Sequence, residues 1–186
     1  MTIWFTSDLH FGHANIIKYC RRPFGGVDEM DYALIQNWNE RVTEDDYVYV
    51  LGDFSFHRRE RTTQILRSLR GKKILLPGNH DGAWLSKTGG WEGLLSQGDL
   101  VTLPVVHTLV CGWIASFGYC PCSVRARVSH YPPNHASLPS EYFLHGHSHG
   151  TKAITAPGVY DVGVDANNYA PVRWEDISTA LARELR

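Results

Sequence analysis

The sequence lacks any hydrophobic run of membrane-spanning length, and it lacks a recognisable secretion signal. Its first residues, Met1-Thr2-Ile3-Trp4, carry neither the basic segment nor the apolar segment with which signal peptides begin. These absences argue against a membrane partner and against an exported class of protein. We therefore expect a cytoplasmic protein.

An excess of charge of either sign is also missing. With 18 Lys and Arg against 19 Asp and Glu, the formal net charge is -1 at pH 7. Proteins that hold duplex nucleic acid through its phosphates usually carry a strong positive excess. We therefore expect no stable binding of duplex nucleic acid, although a nucleotide or a single-stranded end in a small pocket stays open. The oligomeric state is not predicted.

Cysteine is scarce, and it does not occur in the paired Cys-x-x-Cys pattern of thiolate zinc sites. The four cysteines are Cys20, Cys111, Cys120 and Cys122. Without a secretion signal, we expect them to be reduced, as small buried thiols or thiols in hairpins.

What the chain does contain is the composition of one globular domain, which we predict over residues 1–186. In the first half, short apolar runs alternate with helical periodicity, which predicts an α/β sheet with functional groups at the strand ends. The segment Trp91 to Leu95 is predicted to form a short helical piece. From Leu100 the pattern changes to strands and hairpins, which predicts a second sheet.

Three histidines lie within five residues after the apolar run Tyr142-Phe143-Leu144. In an extended segment, His147 and His149 point the same way, and Gly146 allows a close backbone approach. Imidazole is the commonest neutral ligand of first-row metals, so the pattern predicts metal ligands at a strand end. The alternative is a solvated polar loop that holds histidines by chance.

Four other apolar runs also end in polar residues. These residues are Asp8 with His10, Asp53, Asn79 with His80 and Asp81, and His130. Such oxygen and nitrogen donors suit two divalent ions about 3.5–4 Å apart, with one bridging carboxylate, that polarise a phosphoryl oxygen and deprotonate a shared water. The alternative, that each is only a turn, requires five independent coincidences.

In their order along the chain, these motifs resemble the calcineurin-like metallophosphoesterase superfamily. The motifs are Asp8-x-His10, Gly52-Asp53, Gly78-Asn79-His80-Asp81, His130 and Gly146-His147-x-His149. Phe11-Gly12-His13 and Arg22-Pro23-Phe24 resemble small bacterial and phage members. The resemblance implies a four-layer α-β-β-α sandwich of two mixed sheets flanked by helices.

The resemblance also implies a role for each motif residue. One metal ion would be held by Asp8, His10 and His149, and the other by Asn79, His130 and His147, with Asp53 bridging. His80 would face the substrate, stabilise the phosphoryl oxygens and could protonate the leaving group, and Asp81 would orient His80.

Two further residues are candidate substrate contacts. His13 could touch the phosphate, or it could make a structural hydrogen bond. Arg22 could bind phosphate oxygens through paired donors, or it could be an ordinary surface charge.

The function expected from these residues is metal-dependent hydrolysis of a phosphoester. We favour a phosphodiesterase that acts on a small diester or nucleotide, by analogy with small members of the family. Manganese is the expected metal, and iron, zinc or nickel could occupy the same ligands. The alternatives are a phosphomonoesterase, and a non-catalytic scaffold, which usually lacks a ligand or the catalytic histidine, whereas His80 and every ligand are present.

Overall fold

The computed structural model describes residues 1–104, 123–133 and 142–184. Its strands are β1 (Ile3–Thr6), β2 (Tyr47–Val50), β3 (Lys72–Leu75), β4 (Trp91–Leu94), β5 (Leu100–Pro104), β6 (Ser123–Val128), β7 (Tyr142–His145), β8 (Ile154–Ala156), β9 (Val159–Asp161) and β10 (Val172–Arg173). Its α-helices are α1 (Ala14–Tyr19), α2 (Val27–Arg41), α3 (Arg59–Ser68) and α4 (Trp174–Glu184).

The described strands of the first sheet lie in the order β10-β1-β2-β3-β4. Strands β1 to β4 are parallel, and β10 runs antiparallel to β1. Helices α1 and α2 connect β1 to β2, and α3 connects β2 to β3. Because β1, β2 and β3 are parallel, the residues that follow them emerge at the same edge of the sheet.

The described strands of the second sheet lie in the order β5-β6-β7-β9-β8, with β6, β7 and β9 parallel. A parallel bridge between Ser7 and Gly163 joins the segments that leave β1 and β9. This bridge brings the carboxyl ends of the central strands of both sheets to one place, where the candidate site lies.

Two hydrophobic cores lie on the two faces of the first sheet. One packs α1, α2 and α3 against the sheet, for example Trp38 and Leu66 against Val48. The other lies between the two sheets and includes Phe5 and, from α4, Trp174. These layers confirm the predicted fold class, an α/β sandwich of two mixed sheets with packed helices.

One predicted element is wrong. Trp91–Leu94 forms strand β4, parallel to β3, where a helical piece is predicted. The pairing of Gly93 with Ile74 along the free edge of β3 overrides the weak local preference of this short segment.

Of the cysteines, Cys20 is a free thiol whose pKa burial raises to about 11, and Cys111, Cys120 and Cys122 lie outside the described residues. None of the described helices combines the length and apolar character that a membrane crossing needs.

Candidate metal centre

The predicted ligands lie where five chain segments leave the two sheets. The segments after β1 and β2 are joined by hydrogen bonds from the Asp8 N–H to the Gly52 carbonyl and from the His10 N–H to the Asp53 carbonyl, each 3.0 Å. The segments after β6 and β7 are joined by a 3.1 Å bond from the Gly146 N–H to the His130 carbonyl. The backbone thereby fixes the relative positions of the segments that carry the ligands.

Asp8, His10 and His149 form one compact group, called here the first ligand cluster. Their candidate ligand atoms all lie within 4.8 Å of one another. The Asp8 Oδ1 atom is 3.9 Å from His10 Nε2 and 3.8 Å from His149 Nε2. Asp8 is 0% exposed and His10 is 1% exposed, so this cluster lies inside the protein.

Several polar atoms of the first ligand cluster are buried without a partner. Within the described residues, Asp8 Oδ1 and both ring nitrogens of His10 make no hydrogen bond. Burial raises the pKa of Asp8 to about 6, and burial followed by the nearby His149 lowers the pKa of His10 to about 2. Unpaired buried donors and acceptors are costly, and a divalent cation would satisfy them, so this donor set fits a metal ion.

Asp53, His130 and His147 form the second ligand cluster, again with candidate ligand atoms within 4.8 Å of one another. The Asp53 Oδ2 atom is 3.6 Å from His130 Nε2 and 3.5 Å from His10 Nε2. Asp53 therefore lies between the two clusters, where a bridging ligand would be needed. Asn79 adds its Oδ1 atom, 2.9 Å from His130 Nε2.

Hydrogen bonds fix the tautomers of two ligand rings. His130 Nδ1 lies 2.8 Å from the Leu51 carbonyl, which can only accept, so Nδ1 donates. In the neutral ring, His130 Nε2 is then a hydrogen-bond acceptor, and the atom that it faces, Asn79 Oδ1, is an acceptor too. A cation bound to both atoms would stabilise this arrangement. His149 Nδ1 lies 2.8 Å from Asp165 Oδ2, which leaves Nε2 directed towards Asp8.

The two carboxylates next to His149, those of Asp165 and Asp8, raise the pKa of its ring. Burial alone lowers the pKa of His149, but the hydrogen bond to Asp165 and the Asp8 carboxylate outweigh burial, so the pKa is raised. For Asp165, the bonds from His149 and Arg22 likewise outweigh burial and lower the pKa.

Five predicted ligands have left-handed backbone conformations. They are Asp8 (φ 57°), His10 (φ 52°), Asp53 (φ 54°), His147 (φ 67°) and His149 (φ 48°). Such residues cost on the order of 1–3 kcal/mol each and persist where the surrounding structure holds them. The predicted extended geometry after β7 is therefore wrong: the chain turns, and His147 and His149 join different clusters.

Two glycines permit the close approach of these segments. Gly52 has φ +94°, and a Cβ atom there would lie 2.6 Å from Gly78 Cα and 2.6 Å from His130 Nδ1. A Cβ atom on Gly146 would overlap Ser7 Oγ. A side chain at either position would push the ligand-bearing segments apart.

His80 and Asp81 lie next to the second ligand cluster with different surroundings. His80 is exposed, its N–H donates to Asp53 Oδ1 at 2.9 Å, and its ring centre is 5.8 Å from that of His10. The Asp81 carboxylate accepts from the N–H groups of Asp53, Phe54 and Gly78 at 2.8–2.9 Å. Asp81 thus holds the segment that carries Asp53, instead of the predicted contact with the His80 ring.

The two candidate substrate contacts have separate environments. His13 lies beside the first ligand cluster, with its ring centre 5.4 Å from that of His10, and burial lowers its pKa. The side chain of Arg22 is fully buried against Asp165.

Every N–H of the Arg22 guanidinium has a partner within the protein. It donates to both Asp165 oxygens, to the Asp8 and Leu9 carbonyls and to Met30 Sδ. No donor remains for a phosphate, so the structure gives Arg22 a structural role in place of the predicted substrate contact.

Comparison with known proteins decides the family. A model of the calcineurin-like phosphoesterases matches residues 1–152. The chain belongs to this family. An uncharacterized protein of Methanocaldococcus jannaschii is 48% identical over 81 residues, which cover 42% of this chain and 46% of that protein. The gene 66 protein of Mycobacterium phage D29 is 40% identical over 82 residues, covering 42% of this chain and 40% of that protein.

The matches thus span less than half the length of these curated relatives. A crystal structure of a protein of unknown function from Aquifex aeolicus superposes with a TM-score of 0.70 at 23% identity. The superposition covers 96% of this chain and 98% of that chain, and it supports the fold alone.

Sequence reasoning missed three residues that contact the candidate site: Asp165, Phe56 and Tyr131. Asp165 follows β9 two residues after Gly163, a pattern of strand, glycine and acid similar to the one that marks Asp53, so a signal was present. Phe56 lies three residues after Asp53, and Tyr131 directly follows His130. An aromatic residue in a loop carries no chemical signal of its own, so neither could be predicted.

Proposed function

We propose that this phosphoesterase hydrolyses phosphodiesters with two divalent metal ions bound at the two ligand clusters. Membership of the calcineurin-like family supports phosphoester hydrolysis. The observation that carries the proposal is the position of Asp53 Oδ2, 3.5 Å from a histidine nitrogen of the first cluster and 3.6 Å from one of the second. One carboxylate would thereby serve both ions.

The proposed ligands divide as the clusters do. Asp8, His10 and His149 would hold one ion, Asn79, His130 and His147 the other, and Asp53 both. When bound, such a pair polarises phosphoryl oxygens and lowers the pKa of a water molecule. The donors are imidazole nitrogens and carboxylate or amide oxygens without sulfur, a set that manganese, iron, zinc or nickel can each occupy. Manganese is the metal that we propose, from the resemblance to the family and not from the donor set.

His80 is the proposed catalytic acid. It is exposed, its ring centre is 5.8 Å from that of His10, and its main-chain N–H donates to Asp53 Oδ1, which ties its position to the proposed bridging ligand. As the bond from phosphorus to the leaving oxygen breaks, the oxygen takes the electron pair and His80 supplies the proton. Asp81 would contribute by holding the backbone of the Asp53 segment, and His13 by facing the phosphate beside His10.

The proposed preference for a small diester is supported by the open side of the centre. Asn79, His80 and His147 are exposed, while Asp8, His10, Asp53 and His130 are buried. A phosphate can therefore reach the centre past these exposed residues, and an accessible centre of this kind can accept a phosphate that carries two ester groups.

The test is turnover by the full chain after chelation and reconstitution with manganese, iron, zinc or nickel. We expect bis(p-nitrophenyl) phosphate to be hydrolysed only with added metal, and faster than p-nitrophenyl phosphate. Faster hydrolysis of p-nitrophenyl phosphate would indicate a phosphomonoesterase instead of a phosphodiesterase. The absence of turnover with every metal and both esters would contradict the proposal and favour a non-catalytic scaffold.

A further inference from the structure

Two aromatic side chains are exposed at the open side of the metal centre. Phe56 is 41% exposed and Tyr131 is 43% exposed, whereas Phe54, two residues before Phe56, is 0% exposed. Exposed aromatic rings leave a large apolar area in water, and they are common where a protein binds a flat ligand. Their location beside the ligand clusters therefore calls for a ligand-based explanation.

Phe56 lies against the first ligand cluster and the proposed catalytic acid. Its ring stacks on that of His13, with centres 4.0 Å apart and planes 17° apart. Its ring centre is 5.3 Å from that of His10 and 5.1 Å from that of His80. The Phe56 N–H also donates to the Phe11 carbonyl at 2.8 Å, so both the backbone and one side of the ring are held.

Tyr131 lies against the second ligand cluster. Its ring meets that of His147 at 4.9 Å and that of His130 at 5.1 Å, both edge to face. Its N–H donates to Ser129 Oγ at 3.1 Å, and two prolines follow it, which restrict the backbone. Tyr131 is thus a second held ring, beside the other proposed metal site.

A phosphodiester bound between the clusters has two ester groups, and each must leave the buried centre through its open side. Phe56 and Tyr131 border the two clusters on that side. A flat group attached to the phosphate can stack on a held ring with little loss of side-chain freedom, and every nucleobase offers such a face. An alkyl group of similar reach gains much less from these rings.

We propose that Phe56 and Tyr131 are stacking platforms that select phosphodiesters carrying a nucleobase. This inference rests on the proposed function and narrows its substrate class to nucleoside diesters. It does not require long nucleic acid, since the rings lie within reach of one phosphate and the net charge of the chain is -1.

The test compares two diesters with the same leaving group, thymidine 5′-(p-nitrophenyl) phosphate and methyl p-nitrophenyl phosphate. We expect the wild-type protein with manganese to favour the thymidine ester about tenfold in kcat/KM. The double variant Phe56→Leu with Tyr131→Leu should bring this ratio close to one, and the single variants show which ring contributes more.

Two controls separate stacking from general damage. Phe56→Tyr and Tyr131→Phe keep the rings and should keep the ratio, and Tyr32→Leu removes another exposed aromatic side chain, on α2, and should keep it too. A wild-type ratio near one, or an unchanged ratio in the double leucine variant, would overturn the proposal.

Binding separates this proposal from the proposed function. Thymidine monophosphate should bind the manganese-loaded protein about tenfold more tightly than methyl phosphate by calorimetry, and this preference should vanish in the double variant. Failure of the proposed function would appear as no turnover of either diester while this binding preference remains. Equal binding of the two phosphates would contradict the stacking platforms.

Discussion

The two ligand clusters share Asp53 as a neighbour but differ in their access to solvent. In the first ligand cluster, Asp8 and His10 are buried, and three of their polar atoms make no hydrogen bond in the part of the chain that the structure describes. In the second, His130 is buried with a hydrogen bond to a main-chain carbonyl, while His147 and the adjacent Asn79 are exposed. The comparison indicates a closed inner site, which we expect to bind its ion more tightly, and an open outer site, which we expect to exchange its ion and admit the substrate.

The clusters also differ in how a histidine is held. His149 of the first cluster donates to the Asp165 carboxylate, and His130 of the second donates to the Leu51 carbonyl. A carboxylate makes the ring a stronger ligand than a neutral carbonyl does. This contrast again places the stronger site at the first ligand cluster.

The largest expected effect comes from Asp53→Asn, which removes the charge that both clusters share. We expect both ions to be lost on desalting, measured by elemental analysis, and diester hydrolysis to fall to the uncatalysed rate. Asp46→Asn is the matched control, because Asp46 is another buried carboxylate and bonds to Thr2 and Trp4. Two retained ions in Asp53→Asn would contradict its place between the sites.

The second largest effect is expected in a variant that loses activity but keeps both metal ions. His80→Ala should lower kcat by about 100-fold to 10,000-fold, the usual contribution of a general acid, while both ions remain. The measurement pairs single-turnover rates with elemental analysis of the same sample. Loss of an ion in this variant would show that His80 is a metal ligand and would contradict its role as the catalytic acid.

Removal of metal should lower stability, because the proposed ions would pair buried atoms of Asp8 and His10 that make no hydrogen bond within the described residues. At a free concentration 100 times the dissociation constant, one ion adds about 2.7 kcal/mol to the free energy of unfolding. For a chain of this length, that corresponds to a fall in Tm of about 5–11 °C on chelation. Differential scanning calorimetry before and after manganese is restored checks this, and an unchanged Tm would argue against either cluster as a metal site.

The smallest expected effect tests the asymmetry itself. Asp165→Asn weakens the hydrogen bond that orients His149, so we expect about a 10-fold to 100-fold loss of affinity for the more tightly bound ion and little change for the other. Calorimetric titration with manganese resolves the two ions. Because Asp165 also pairs with the buried Arg22, the Tm of the metal-free variant is recorded as a control for folding. An equal loss of manganese affinity at both sites would contradict the expected difference between the two ligand clusters.

Much of the site could be predicted because its residues follow apolar runs directly. Asp8, Asp53 and Asn79 leave β1, β2 and β3, and parallel strands bring their carboxyl ends to one edge. The two sheets followed from the change of pattern near Leu100. The residues that meet at the site could therefore be predicted from local sequence patterns together with one rule of sheet topology.

The remaining features depend on contacts between distant parts of the chain. The pairing of Arg22 with Asp165 joins residues 143 positions apart, and nothing near Arg22 marks it as buried. The left-handed turns at His147 and His149 are stabilised by tertiary contacts such as the bond from the His147 N–H to Asp8 Oδ2, at 2.8 Å. Strand β4 likewise depends on the edge that β3 offers.

The most direct test of the paired metal centre is the anomalous difference map of a crystal grown with manganese. We predict two peaks, one within bonding distance of Asp8, His10 and His149 and one within bonding distance of Asn79, His130 and His147. Asp53 should contact both, and the first peak should keep the higher occupancy when manganese is limiting. A single peak, or peaks away from these residues, would contradict the paired metal centre.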